Sequence, residues 1–121
     1  DLWQEREQAM ELLGNLPQKT LTQRLDLAEE WAASRDKLNR FLDYVLLWYR
    51  DLMVMNTNGE DLVLNRDYLP QLRVQVVATP FNHILQMMEK VQWSRRRLAS
   101  NANFRLLLEG LFLNLDQSEV S

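Results

Sequence analysis

Residues 36–55 run through five helical turns' worth of chain without Gly or Pro, and their apolar positions fill most of the circumference. Leu38, Phe41, Leu42, Tyr44, Val45, Leu46, Trp48, Tyr49, Leu52, Met53 and Met55 together cover well over half of such a helix. An apolar arc that wide cannot be satisfied by one neighbour, so the helix has to be packed from several sides. This segment is expected to be the hub of the fold. Its polar strip is narrow, consisting of Asn39, Arg40, Asp43, Arg50 and Asp51, and Leu47 and Val54 interrupt it one heptad apart.

The remaining chain supplies helices to surround that hub. With 121 residues there is enough chain for one domain with a real core, so residues 1–121 are read as a single domain. Three Gly and three Pro leave little material for the tight turns of an all-β fold, whereas helix formers are abundant. A first helix is expected over residues 2–13, stopped by Gly14-Asn15 with Pro17 beyond. Thr20 or Thr22 is placed to cap a second, with Leu21, Leu25, Ala28 and Ala32 as its apolar stripe and Trp31 on the flank. Ser34 caps the hub. Residues 56–60 form the clearest loop, and Asn65 is a candidate cap.

Pro70 fits a first turn, so a short helix is expected over 70–78, with an extra turn at 66–68. Thr79-Pro80 pairs a capping hydroxyl with Pro at the first helical position, opening a fifth helix to about residue 99. Its stripe is read as Phe81, Ile84, Leu85, Met88, Val91 and Leu98. A sixth helix is expected over 103–115.

Tests for chemistry come back empty. There is no Cys, hence no disulfide, thiol nucleophile or Cys-based zinc site. His83 is the one His, without a second His at metal-binding spacing, and reads as a surface or boundary imidazole. No Gly-rich loop is present to cradle phosphate. Asp26, Glu29, Glu30 and Asp36 read as a solvated face. No apolar run reaches the ~18 residues of a membrane span, and the start does not read as a signal peptide. A formal net charge of −3 argues against a dedicated nucleic-acid binder. Arg95, Arg96 and Arg97 point about 100° apart along their helix, so they do not make one flat basic patch. They also complement the negative end of the helix dipole. The residues therefore predict no active site, no cofactor and no metal. The missing initiator Met reads as an excised domain.

Two blocks carry a family resemblance. In the run from Arg95-Arg96-Arg97 through Asn101-Ala102-Asn103 to Phe104-Arg105-Leu106-Leu107-Leu108-Glu109-Gly110-Leu111, a basic helix end meets a small polar hinge and then a Leu-rich helix with one Glu. This resembles the C-terminal end of the delta-prime subunit of the bacterial DNA polymerase III clamp loader. Leu46-Leu47-Trp48-Tyr49-Arg50-Asp51-Leu52 is similar to the middle helix of the same domain. The chain has Phe104 where the family usually has Pro.

The resemblance implies an all-α, compact bundle of five to six helices, like the clamp-loader collar, whose N-terminal AAA+ modules are absent from this chain. It implies a non-catalytic oligomerisation domain that helps hold the loader ring together while the sliding clamp is loaded in DNA replication. Its partners would be other loader subunits, with DNA met only through the complex, no membrane and no small-molecule substrate. Residence would be cytoplasmic. A gamma/tau-type collar domain remains an alternative, separated by whether a nucleotide-binding motif lies upstream. A helical nucleic-acid-binding domain using Arg95 to Arg97 and Arg105 is another.

Site expectations follow from helical phase. Trp93 and Arg97 fall on the polar face of the fifth helix, and Leu47 and Val54 on the polar strip of the third. All four are candidate partner contacts. A Trp93 laid over the stems of Lys90 or Arg97 is the simpler alternative. Arg95 projects toward the apolar stripe, and Glu109 is a lone acid in an apolar helix, so the two are expected to pair across the hinge. Asn101 and Asn103 are expected to cap the helix ends at that hinge.

Overall fold

The computed structural model describes residues 1–99 and Gly110. The expected sixth helix, the Asn101 and Asn103 caps and the Glu109 carboxylate lie outside the described residues. Among those described, the chain is all-helical: α1 (Leu2–Asn15), α2 (Leu21–Trp31), α3 (Arg35–Asn56), α4 (Leu69–Ala78) and α5 (Phe81–Ala99). Three 3₁₀ turns, Leu16–Gln18, Glu60–Leu62 and Arg66–Tyr68, fill connections.

Local chemistry sets most boundaries. Asp1 caps α1 by accepting from the Trp3 amide. Thr20 caps α2 in a reciprocal box with Gln23, so both ends of the first turn are satisfied. Ser34 accepts from the Lys37 amide and opens α3. The exit from α3 needs its turn residues. Asn58 takes φ 62°, a left-handed value that Asn tolerates better than most residues. The Gly59 amide then folds back 2.6 Å from the Val54 carbonyl. A Cβ on Gly59 would sit 2.8 Å from that oxygen, so the close return needs glycine. One boundary differs from expectation. The Thr79 hydroxyl donates backward to the Gln75 carbonyl at 2.7 Å instead of capping α5. Pro80 sits just outside the helix, its carbonyl accepting from the Ile84 amide.

α3 is the hub, in contact with α1, α2, α4 and α5 and with the Glu60–Leu62 turn. Leu38, Phe41, Leu42, Val45, Trp48, Tyr49 and Leu52 are buried, and Tyr44, Leu46, Met53 and Met55 pack against the core from its margin. Truncating a buried aromatic such as Trp48 or Phe41 typically costs about 3–5 kcal/mol, so this one helix carries much of the stability.

Two helices are turned relative to expectation. On α2 the buried positions are Arg24, Ala28 and Trp31, while Leu21 is exposed. Trp31 stacks against Phe41, ring centroids 4.7 Å apart. Arg24 belongs inside because its guanidinium donates to the Leu16 carbonyl at 3.0 Å and the Lys19 carbonyl at 3.3 Å. The Leu16 carbonyl, which already accepts from the Lys19 amide, thereby gains a second donor, and the Lys19 carbonyl lies just past the turn. On α5 the buried seam is Ile84, Met87, Val91, Ser94 and Leu98, spaced three and four residues alternately. Ser94 is tolerated there because its hydroxyl donates to the Lys90 carbonyl at 2.9 Å. Phe81 and Leu85, expected in the stripe, are left outward. His83, expected as a surface or boundary imidazole, is buried, because it adjoins that seam.

Candidate interaction surface

The polar residues of the hub divide into an inner set and an outer set. Asp51 is wholly buried, not part of a solvated strip. Its carboxylate accepts from the Leu64 amide (3.0 Å), the Asn65 amide (2.9 Å) and Asn65 Nδ2 (2.7 Å), with Arg50 at 3.1 Å. Arg50 also donates to the Leu62 carbonyl at 2.9 Å. The Asn65 side chain does not cap the following turn; its Oδ1 accepts from Arg6 of α1 at 2.7 Å. Arg6 is gripped in turn by Asp67 at 3.1 Å. The Arg50-Asp51 pair thus fastens the α3–α4 connection to two helices.

A second tie runs deeper. Trp48 Nε1 donates to Gln75 Oε1 at 2.9 Å, and Gln75 Nε2 donates to the Leu13 carbonyl at 2.8 Å, linking α3, α4 and α1. A third, Glu5 of α1, takes two hydrogen bonds from Arg40, at 2.7 and 3.0 Å, and one from the Tyr44 hydroxyl. The Arg40 hydrogen bonds hold the Glu5 carboxyl below its ordinary 4.5, outweighing the upward push of burial. These inner groups are consumed in holding the bundle together.

The outer face of α5 is different. Trp93 is 49% exposed, with the Arg97 guanidinium 5.0 Å from its ring centroid. Arg97 stacks on the indole, as the simpler alternative has it, and the indole still presents half its surface. Leu85, 41% exposed, joins Met88, Trp93 and Met53 of α3 in a shallow, open depression edged by Lys90 and Arg96. Leu85 and Met53 went unassigned to any surface in the sequence reading. The signal was present in the spacing, since taking Met87 as the seam position turns Leu85 outward.

The other candidates separate. Leu47 is exposed at 38%, whereas Val54 is half-buried, packed on the core with the Gly59 turn folded against its backbone. Arg95 forms an ion pair with Asp43 of α3 at 3.0 Å, on a side where both groups are partly exposed. Its expected partner Glu109 is outside the described residues. The three consecutive arginines diverge as expected: one to Asp43, one to the edge of the depression, one onto Trp93. Asp26, Glu30 and Asp36 are exposed.

Among the described residues no group of three or more His, Cys, Asp or Glu side chains could hold a metal ion. No helix there is long and apolar enough to cross a membrane. What remains, among the described residues, is an all-α helical-bundle domain whose buried carboxylate is fully engaged and whose α5 presents an open aromatic-cationic face. The chain belongs to the family described as "DNA polymerase III, delta subunit, C terminal", which matches residues 1–117. It is thus a C-terminal domain of a DNA polymerase III clamp-loader subunit. No curated protein and no solved structure matches it.

Proposed function

We propose that this domain is the non-catalytic oligomerisation domain of a delta-prime-like subunit, joining a helical collar that holds the loader ring together. The observation that carries this reading is the Trp93–Arg97 stack standing half-exposed beside Leu85 and Met88. Aromatic and Arg side chains in such a setting are the usual energetic centres of protein–protein contacts. The core does not need them, since the α5 seam is complete without either residue. Leu47 is a second contact candidate on α3; Val54 is a lesser one, its side chain already partly covered.

Delta-prime is preferred over gamma/tau on the Asn101-Ala102-Asn103 step and the Trp48-Tyr49-Arg50-Asp51 run. The upstream chain separates the two: an intact phosphate-binding loop there would assign gamma/tau. A nucleic-acid role is disfavoured by Arg95 and Arg97, which are engaged with Asp43 and Trp93. The test is reconstitution of a loader with Trp93→Ala plus Arg97→Ala in the complete subunit. Weakened incorporation of a normally folded subunit is expected, and unchanged incorporation would overturn the assignment.

A further inference from the structure

Asn58-Gly59 is the one Asn-Gly step in the 121-residue chain, and it sits in the turn that closes α3. Asn before Gly is chemically labile in a flexible chain, because the next backbone nitrogen can reach the side-chain carboxamide with no side chain in its way. Asn58 is exposed, and its carboxamide makes no hydrogen bond among the described residues. The backbone around it is held instead. The Val54 carbonyl accepts from the Thr57 amide at 3.2 Å, the Thr57 hydroxyl at 3.0 Å and the Gly59 amide at 2.6 Å. Asn58 itself is left-handed at φ 62°, its amide donating to the Met55 carbonyl at 3.2 Å. The nitrogen that would act as nucleophile therefore makes the shortest bond in the turn. It has to release its proton to attack, and the bond to Val54 keeps that proton in place.

We propose that Asn58 is a self-modification site of this domain, gated by the turn that closes α3. When the hydrogen bond from Gly59 to Val54 opens, the Gly59 nitrogen loses its proton and bonds to Asn58 Cγ. The Cγ–Nδ2 bond breaks, the nitrogen leaves as ammonia with a proton returned to it, and a succinimide ring remains. Water then opens the ring at either carbonyl. One route gives aspartate; the other gives isoaspartate, whose main chain runs through the side-chain carbon. Water is the only co-reactant. Both products disfavour reclosure of the turn. A new carboxylate stands at the negative end of the α3 dipole, beside Glu60 and Asp61. Isoaspartate also adds a main-chain carbon to a return so close that a Cβ on Gly59 would lie 2.8 Å from the Val54 oxygen. This turn leads into the connection whose Glu60 carboxylate, Leu62 carbonyl and Leu64 and Asn65 amides are bonded to Arg73, Arg50 and Asp51. The reaction is thus a one-way step from a fastened to a loosened α3–α4 connection, and it does not depend on the collar reading.

The test is to age the 121-residue chain at mildly alkaline pH, folded and in urea, and to follow conversion of amide to acid by mass spectrometry. Trypsin releases residues 51–66 as one peptide, which holds Asn56, Asn58 and Asn65 and so compares the three directly. Conversion should fall on Asn58, and should run at least about tenfold slower in the folded chain, because the turn must open first. The isoaspartyl product, separated by chromatography, should unfold at a midpoint several degrees below wild type. Asn58→Gly keeps a residue suited to the left-handed position and removes the carboxamide. That variant should form no acid at position 58 and should unfold within a few degrees of wild type before and after ageing. Asn58→Asp supplies the charge without the extra carbon, and its loss should be smaller than that of the isoaspartyl chain. Equal rates in the folded and unfolded chain would overturn the gate. Conversion at Asn56 or Asn65 ahead of Asn58 would overturn the site. An isoaspartyl chain as stable as wild type would overturn the loosening.

Discussion

Asp51 on α3 and Arg97 on α5 are both charged residues on helices that build the core, yet they end in opposite surroundings. Asp51 is sealed inside, with two backbone amides and the Asn65 amide group aimed at its oxygens. Arg97 lies over a half-exposed indole on the outer face. A buried carboxylate is tolerable only when fixed donors replace its water, and the 63–65 segment provides them. A guanidinium stacked on an exposed ring needs no such arrangement. In this fold Asp51 fastens a connection inside, while the Arg97–Trp93 stack stands on the outer face.

If that division is right, substitutions in the inner region should be felt in stability first. Asp51→Ala strands the Leu64 and Asn65 amides and the Asn65 side chain, and frees the chain entering α4. Removing one member of such a buried charged network typically costs about 3–5 kcal/mol. The thermal midpoint should fall by about 10–20 °C for a domain of this size. A fall of only a few degrees would break the comparison at its strongest point.

Arg24→Met is the next test. The apolar stem is replaced by one of similar length, so the change isolates the hydrogen bonds to the Leu16 and Lys19 carbonyls. The Leu16 carbonyl keeps the Lys19 amide as a donor, so losing the charged donor to both carbonyls should cost about 1–3 kcal/mol, read from urea unfolding. A neutral result would place Arg24 with the surface cations instead.

Both residues also mark where sequence reading stopped. Helical spacing identified α3 as the hub because eleven apolar positions leave a helix no other way to be satisfied. The same logic misjudged α2, where an Arg occupies the inner face and Leu21 points outward. On α5 it passed over Ser94, a polar residue in a seam position, and so turned the stripe toward Phe81 and Leu85. In each case the polar side chain has found a backbone carbonyl. Periodicity counts apolar residues; it does not see carbonyls or amides supplied by a neighbouring turn. Asp51 was unreadable for the same reason, since its donors come from residues 64 and 65, a loop away. Trp93 and Arg97 were legible because exposure needs no partner: a residue out of phase with its own core stripe declares itself.

Acid sensitivity sharpens the comparison further, with a smaller effect. The Glu5 carboxyl is held below 4.5 chiefly by the Arg40 hydrogen bonds. Its folded affinity for a proton is thus lower than its unfolded one. The stabilisation is fully present above about pH 5 and is lost as the pH falls through the folded value. Arg40→Met should lower the unfolding midpoint at about pH 7, and the gap to wild type should close on acidification below the ordinary glutamate range. A gap that persists undiminished in acid would mean that Arg40 contributes by packing its stem, not by pairing.

The smallest expected change in stability is the one that defines the outer region. Trp93→Ala with Arg97→Ala removes an exposed stack worth about 0.5–1 kcal/mol, and nothing in the α5 seam follows it. Thermal unfolding of the double mutant should therefore stay within a few degrees of wild type, in contrast to Asp51→Ala. The contrast has to reverse in assembly. There, truncating one well-placed aromatic can cost about 2 kcal/mol or more, enough for about a thirtyfold loss in affinity for a neighbouring subunit. The ratio of the two effects is what matters: a large fall in midpoint would show that Trp93 supports the bundle, and would move it to the same side of the comparison as Asp51. Little loss of stability with a large loss of assembly would separate the two regions in function as the coordinates separate them in space.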